Sequence, residues 1–279
     1  MVKAKRKPKK AEAPASLAAL RRRIDALDDR MQDLLMRRAA IVGQVMRSKR
    51  RGKLAAFRPG REAQILRRLA ARHRGRFPLP NMLQMWRELL SGSVGMQADL
   101  TVAAVESCRG LARDHFGCQA KLIGCFSADE ATRAVGSGRA LLAVLPLADE
   151  TETAPWWRDL AEAEASQPRI VARLPFAGSA NGAHAALVVG TMEPEPSGDD
   201  ATVLVVEGTN LASLMTALRA AKFSAAPIAS AAGAHLVEID ALVAPGEARL
   251  ERALEKLGRR VKLAVLGSYA RPIGAEKRA

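Results

Sequence analysis

From Ser16 to Gly52 the chain carries one apolar stripe without a break. Leu17, Leu20, Ile24, Leu27, Met31, Leu34, Ile41 and Val45 follow alternating steps of three and four once position 38 is counted in. That spacing is one face of an amphipathic helix, with Ser16 as N-cap and Gly52 as the first residue to break the pattern. A helix of about 36 residues is roughly 55 Å long, whereas a compact unit of about 90 residues is roughly 30 to 35 Å across. One subunit cannot cover such a stripe, so the sequence predicts a helical homodimer.

Two shorter helices follow. Pro59, in "FRPG", opens one that runs through "REAQILRRLAARH" with Ile65, Leu66 and Leu69 inward, and "GRFPLP" stops it. The next is expected from about Pro80 to Leu100, with Met82, Trp86, Leu89, Leu90 and Met96 on its apolar side. Residues 16 to 100 therefore read as all-helical. Beyond Thr101 come short β-branched or apolar runs, "LTVAAVES", "AKLIGCF", "ALLAVLPL", "RIVARL" and "AALVVG", separated by helical ones, an α/β texture. "PEPSGDD", Pro194 to Asp200, reads as a linker. After it the order strand, helix, strand, strand, helix, strand gives βαββαβ, a ferredoxin-like pattern.

Charge is divided along the chain. The net charge is +15, yet residues 1 to 100 hold 25 Lys/Arg against 8 Asp/Glu, and the remaining residues 19 against 21. Six cations lie in "MVKAKRKPKK", so residues 1 to 15 are expected to be a disordered basic arm. No apolar segment suits a signal peptide or a membrane span. The three cysteines, Cys108, Cys118 and Cys125, lack CxxC spacing and clustered histidines, so neither a disulfide framework nor a metal site is expected. Reduced thiols and a cytoplasmic location follow as expectations.

The informative residues are polar ones on the helical seams. Steps of three and four give 34, 38, 41, 45, 49, which puts Arg38 and Lys49 on the first helix's apolar stripe; Arg21 lies one position off it. Glu62 precedes Ile65, Leu66 and Leu69 on the second helix, and Trp86, Leu89, Ser93 and Gln97 share a stripe on the third. Taken singly, each has a simpler account as a snorkelling side chain or a register-setting polar residue. Together they leave two or three inward cations against one inward carboxylate, and a buried cation costs several kcal/mol unless paired. An anionic ligand would supply the missing charge. The four histidines sit in no nucleophile or metal motif, "GTN" and "GSG" are too short for phosphate loops, and Trp156 and Trp157 are expected to pack locally. If the chain is an enzyme, its chemistry must need neither nucleophile nor metal, and no cofactor is expected.

The stretches "LAALRRRIDALDDRMQDLLMRRAAIVGQVMRSK", "RPGREAQILRRL" and "MWRELLSGSVGMQ" resemble, in order and nearly without gaps over residues 16 to 100, the all-helical chorismate mutases found at the N-terminus of bifunctional chorismate mutase–prephenate dehydratases. The resemblance implies an intertwined helical dimer converting chorismate to prephenate. It implies that Arg21 reaches into the partner subunit's site, and that Arg38 binds a second substrate carboxylate. Lys49 would contact a carboxylate and the ether oxygen, Glu62 the substrate hydroxyl, and Ser93 and Gln97 the remaining polar edge, with Gln97 donating to the ether oxygen. Arg58 stands where some members carry an aspartate.

The C-terminal part is similar, in patches, to a shortened dehydratase and its amino-acid-binding ACT domain, through "LARDHFG", "CFSADEATRAVGSGRALLAVLPL" and "LGSYARPI". The dehydratase's "GPxGT" loop is absent, its "ENS" is "ADE" after Leu147, and its "TRF" is "HAA" near His184, which implies that dehydration has been lost. The ACT resemblance implies an amino-acid effector site, although its "ESRP" segment reads "IASAAG" here. The expected layout is multi-domain: an arm at 1–15, an all-α three-helix mutase domain at 16–100, an α/β dehydratase-like remnant at 101–195 and a βαββαβ ACT-like domain at 200–273. Three other readings remain: a bifunctional mutase–dehydratase, isochorismate pyruvate-lyase chemistry in the same pocket, and a basic nucleic-acid or partner binder. Against the last, the cations of interest point inward and the helical half lacks stacking aromatics, so neither nucleic acid nor membrane is an expected partner.

Overall fold

The computed structural model describes residues 16–49, 56–147, 155–162, 168–177, 185–258 and 260–274. The expected arm at 1–15, the "ADE" segment and His184 lie outside the described residues. The chain divides into two compact units, Met1–Leu54 and Ala55–Ala279.

The first unit is built on α1, Leu17–Lys49, a helix of 33 residues and so about 50 Å long. Ser16 caps it as expected: its Oγ accepts from the Ala19 N–H at 3.2 Å, and its carbonyl accepts from the Leu20 N–H at 3.0 Å.

The second unit begins with α2, Pro59–Arg72, and α3, Leu79–Gly95. Pro59 opens α2 at a position whose N–H would be unused anyway. α3 ends five residues before the expected Leu100. The carbonyls of Leu100 and Thr101 are taken by the N–H groups of Lys121 and Leu141, so sheet pairing claims the backbone the helix would need.

The strands are β1 Thr101–Val105, β2 Lys121–Cys125, β3 Leu142–Pro146, β4 Arg169–Leu174, β5 Ala186–Gly190, β6 Asp200–Glu207, β7 Ala225–Ala231, β8 Ala234–Ile239 and β9 Lys262–Ala270. Between them lie α4 Arg109–Phe116, α5 Ala128–Gly136, α6 Trp156–Glu162, α7 Leu211–Ala220 and α8 Ala248–Glu255. The βαββαβ order at the C-terminal end is present. Among the described residues the strands form one sheet in the order β2-β1-β3-β5-β4-β9-β6-β8-β7. β1 pairs in parallel with β2 and β3, and most other pairs are antiparallel.

The central strands are covered on both faces, which is why β3 and β5 read as unbroken apolar runs. One face packs Ala131, Ala134, Trp156 and Trp157 of α5 and α6 against Leu145, Leu187 and Val189. The other packs Phe57, Val94, Ala112 and Phe116 against Val102, Val144 and Val188. Further along, Leu214 and Leu218 of α7 and Leu250 and Leu254 of α8 cover Leu204, Val206 and Val237.

The two parts of the sheet join where β4 meets β9, at Ile170 and Gly267. Gly267 has φ +138°, and a Cβ there would overlap the Ile170 carbonyl, so only glycine allows the strands this close. A buried polar cluster lies beside the joint. Arg173 of β4 bonds Glu238 of β8 at 2.8 Å and the Tyr269 hydroxyl of β9 at 3.2 Å, and Tyr269 donates to Glu238.

Candidate functional site

In the first unit, Arg21 is exposed and Arg38 half-buried on α1, while Lys49 closes the helix and its side chain lies outside the described residues. Among the described residues of the first unit, the stripe that should make a core does not make one. Leu17, Leu20, Ile24, Leu27, Met31, Leu34, Ile41 and Val45 remain between 42% and 64% exposed. An apolar face this long and this exposed is one that a partner ordinarily covers.

In the second unit, Glu62 is buried in the first turn of α2 and accepts from Arg87 Nη1 of α3 at 3.1 Å. Arg87 is itself only 8% exposed. Burial pulls its pKa down to about 10, with the Glu62 carboxylate acting in the opposite direction. The same Nη1 lies 3.3 Å from His115 Nε2 on α4. Arginine can only donate, so the imidazole accepts through Nε2 and is neutral, with its proton on Nδ1. Burial first, and then the Arg87 charge, push the His115 pKa well below its usual value. Phe176, two residues beyond β4, lies under the Arg87 and Arg67 guanidinium groups, 5.1 and 5.7 Å from their carbons.

The remaining expected residues have other partners. Arg58 Nε donates to both Glu195 carboxylate oxygens, at 2.8 and 3.1 Å. Ser93 Oγ bonds back to the Leu89 carbonyl at 2.7 Å, and Gln97 Nε2 donates to the Ser93 carbonyl at 2.8 Å. The second unit thus brings Ser93 and Gln97 together, and ties Glu62 and Arg58 to different neighbours. The small cleft around Glu62, Arg87 and His115 includes neither Ser93 nor Gln97.

Arg87 and His115 escaped the reading of the sequence. The stripe that the spacing predicts on α3, Trp86, Leu89, Ser93 and Gln97, is half-buried in the structure; the buried stripe is Leu83, Arg87, Leu90 and Val94, one residue over. Steps of four, three and four from Leu83 pick out Arg87 as a seam cation, by the same logic that picked out Arg38 and Lys49. His115 carried no such signal, since its role depends on where α4 docks. Among the described residues no group of three His, Cys, Asp or Glu side chains is placed to hold a metal ion, and no helix is long and apolar enough to cross a membrane. The cysteines are free thiols, Cys108 and Cys125 buried and Cys118 exposed.

The chorismate mutase type II family model matches residues 20–98. Residues 20–98 are a chorismate mutase type II domain. The match to this mutase domain begins one residue before Arg21 and ends one residue after Gln97, so all seven candidate residues fall inside it. Over 147 residues the chain is 31% identical to a bifunctional chorismate mutase/prephenate dehydratase of Stutzerimonas stutzeri and 30% identical to one of Pseudomonas aeruginosa, covering 50% of this chain and 40% of each relative. The match thus spans about two-fifths of the length of those curated relatives. Among solved structures the chain is similar to prephenate dehydratase from Streptococcus mutans, at 15% identity and a TM-score of 0.41, covering 62% of this chain and 99% of that one. Residues 20–98 take in most of α1 together with α2 and α3, and a mixed α/β sheet follows them in the chain.

Proposed function

We propose that this protein is an isomerase that rearranges chorismate to prephenate and does not dehydrate the product. The observation that carries the reading is the match of the chorismate mutase type II family to residues 20–98, with Arg21, Arg38, Lys49, Glu62, Ser93 and Gln97 all inside it. The reaction is a unimolecular [3,3] shift in which a C–O bond breaks as a C–C bond forms. It needs no proton shuttle, covalent intermediate, metal or cofactor. Its demands are a compact conformer of a dianionic substrate and donors aimed at the ether oxygen as negative charge builds there.

In this reading Arg38 and Arg21 clamp the two carboxylates, with Arg21 contributed by a second copy of the chain. Lys49 and Gln97 stabilise the ether oxygen, Glu62 and Ser93 fix the hydroxyl side, and Arg58 stands at its edge. The exposed stripe of α1 supports the homodimer, because a second copy would bury it. Loss of dehydration is supported by the absence of the "GPxGT" loop and the replacement of the "ENS" and "TRF" motifs. The βαββαβ segment is read as an amino-acid-binding domain whose effector is not recognised through an "ESRP" motif.

Incubation with chorismate and analysis of products tests the proposal. Prephenate alone is the expected result. Phenylpyruvate would restore the bifunctional reading, pyruvate would indicate lyase chemistry, and no turnover would refute the enzyme reading. Light scattering at micromolar concentration should give twice the chain mass or a multiple of it; a monomer would refute the dimer.

A further inference from the structure

A second cavity lies entirely within the α2-to-C-terminus unit and is used by none of the roles above. It measures about 300 Å³ and opens between α2, α3, α4 and the segment after β4. Its walls are apolar, from Leu66, Leu79, Leu83, Leu111, Phe176 and Ile273, and its polar lining includes Arg87 and His115. Arg87 commits Nη1 to Glu62 and His115, and its Nε and Nη2 have no partner among the described residues. A guanidinium so largely buried, with donors left over and standing in the wall of a cavity, is a built recognition group. His115 lines the cavity too, and because its Nε2 accepts from Arg87 its proton sits on Nδ1.

We infer that this cavity binds a small monocarboxylate carried on an apolar body, its carboxylate held by the free donors of Arg87 and its body packed against Phe176 and the leucines. The cavity is at the small end of the roughly 300–1,000 Å³ range of ligand pockets, which suits a single ring or branched chain and excludes a nucleotide. Asp114 also lines it and would repel a multiply charged anion, so one negative charge fits better than a phosphate. Burial of Arg87 is under-compensated by Glu62, as its lowered pKa indicates, and a second carboxylate would complete that compensation. The site stands whether or not residues 20–98 turn over chorismate.

Titration calorimetry of the full chain with 3-phenylpropanoate tests the inference, alongside 3-phenylpropanamide and inorganic phosphate. Saturable binding of the carboxylate, with the amide and phosphate at least about tenfold weaker, is expected from the loss of charge-assisted hydrogen bonds or of the apolar body. Arg87→Met should weaken binding by a similar factor. Because that change strands Glu62 and can impair folding, Leu111→Trp provides an independent arm: it fills the cavity from the wall without touching the Glu62–Arg87 pair, and should abolish binding. Arg38→Ala, in the proposed mutase clamp, should leave the affinity within about twofold, separating this site from that reading. Equal affinity for the amide, binding that survives Leu111→Trp, loss of binding in Arg38→Ala, or no saturation by 10 mM would each overturn it.

Discussion

Arg58 and Glu195 are 137 residues apart in sequence and joined side chain to side chain, with Arg58 Nε 2.8 and 3.1 Å from the two carboxylate oxygens. The contact is one of several fastening α2 to the segment that leads into β6. Gly60 lies so close beneath that segment that a Cβ would come within 2.6 Å of the Glu195 carbonyl oxygen. Arg67 donates to Ser197 Oγ at 2.8 Å and to the Asp199 and Arg271 carbonyls at 2.7 Å each. A partly exposed ion pair contributes little stability, on the order of 0–1 kcal/mol, so its effect lies in where it holds the start of the helix that carries Glu62.

If Arg58 acts through Glu195 rather than on substrate, Arg58→Ala and Glu195→Ala should lower kcat/KM for chorismate by similar factors, and the double variant should be no worse than either. A double-mutant cycle measures this directly. A drop of about 100-fold confined to Arg58→Ala would instead make Arg58 a substrate contact.

If Lys49 and Gln97 hold the ether oxygen as proposed, Lys49→Ala and Gln97→Ala should each reduce kcat by about 10²- to 10³-fold, the usual effect of removing one donor at a site of developing negative charge. Arg38→Ala should raise KM more than it lowers kcat, because the substrate carboxylate is charged throughout the reaction. Steady-state disappearance of chorismate, with circular dichroism to check the helices, separates the two outcomes.

His115 makes stability depend on pH in a stated direction. In the folded protein its pKa lies well below the ordinary 6.5, through burial and the neighbouring Arg87 charge. Below pH 6.5 the unfolded chain therefore binds a proton that the folded chain refuses, and stability falls as pH falls. The slope from this one group approaches about 1.4 kcal/mol per pH unit and is absent above neutrality. Urea unfolding between pH 5 and 8 should show that decline, flattened in His115→Gln; equal slopes in the two proteins would count against it.

Glu238 is 4% exposed and faces Arg173 and Tyr269 beside the joint of the sheet. Burial, and then the Glu238 charge, raise the Tyr269 pKa, so the phenol stays protonated and donates to the carboxylate. Glu238→Ala would strand the Arg173 guanidinium in the interior and should cost about 3–5 kcal/mol, read from chemical denaturation. Tyr269→Phe, which leaves the ion pair intact, should cost less, about 1–2 kcal/mol.

Local features of this protein were legible in the residues alone. The α1 periodicity, the Ser16 cap, Pro59 at the first position of α2, and the runs that became β1 to β9 are all set by short-range spacing and backbone preference. So was the anomaly of Arg38, Lys49 and Glu62, because a charge on an apolar stripe is visible before any fold is known. Tertiary structure decided which α3 stripe is buried, since Met82, Trp86, Leu89 and Leu83, Leu90, Val94 are comparably apolar and the docking of α2, α4 and the sheet chooses between them. It also decided that Arg58 meets Glu195, that Arg87 and His115 share one buried site, and that the nine strands among the described residues form a single sheet. These are contacts between residues dozens to more than a hundred positions apart, and no local pattern encodes which distant side chain will arrive.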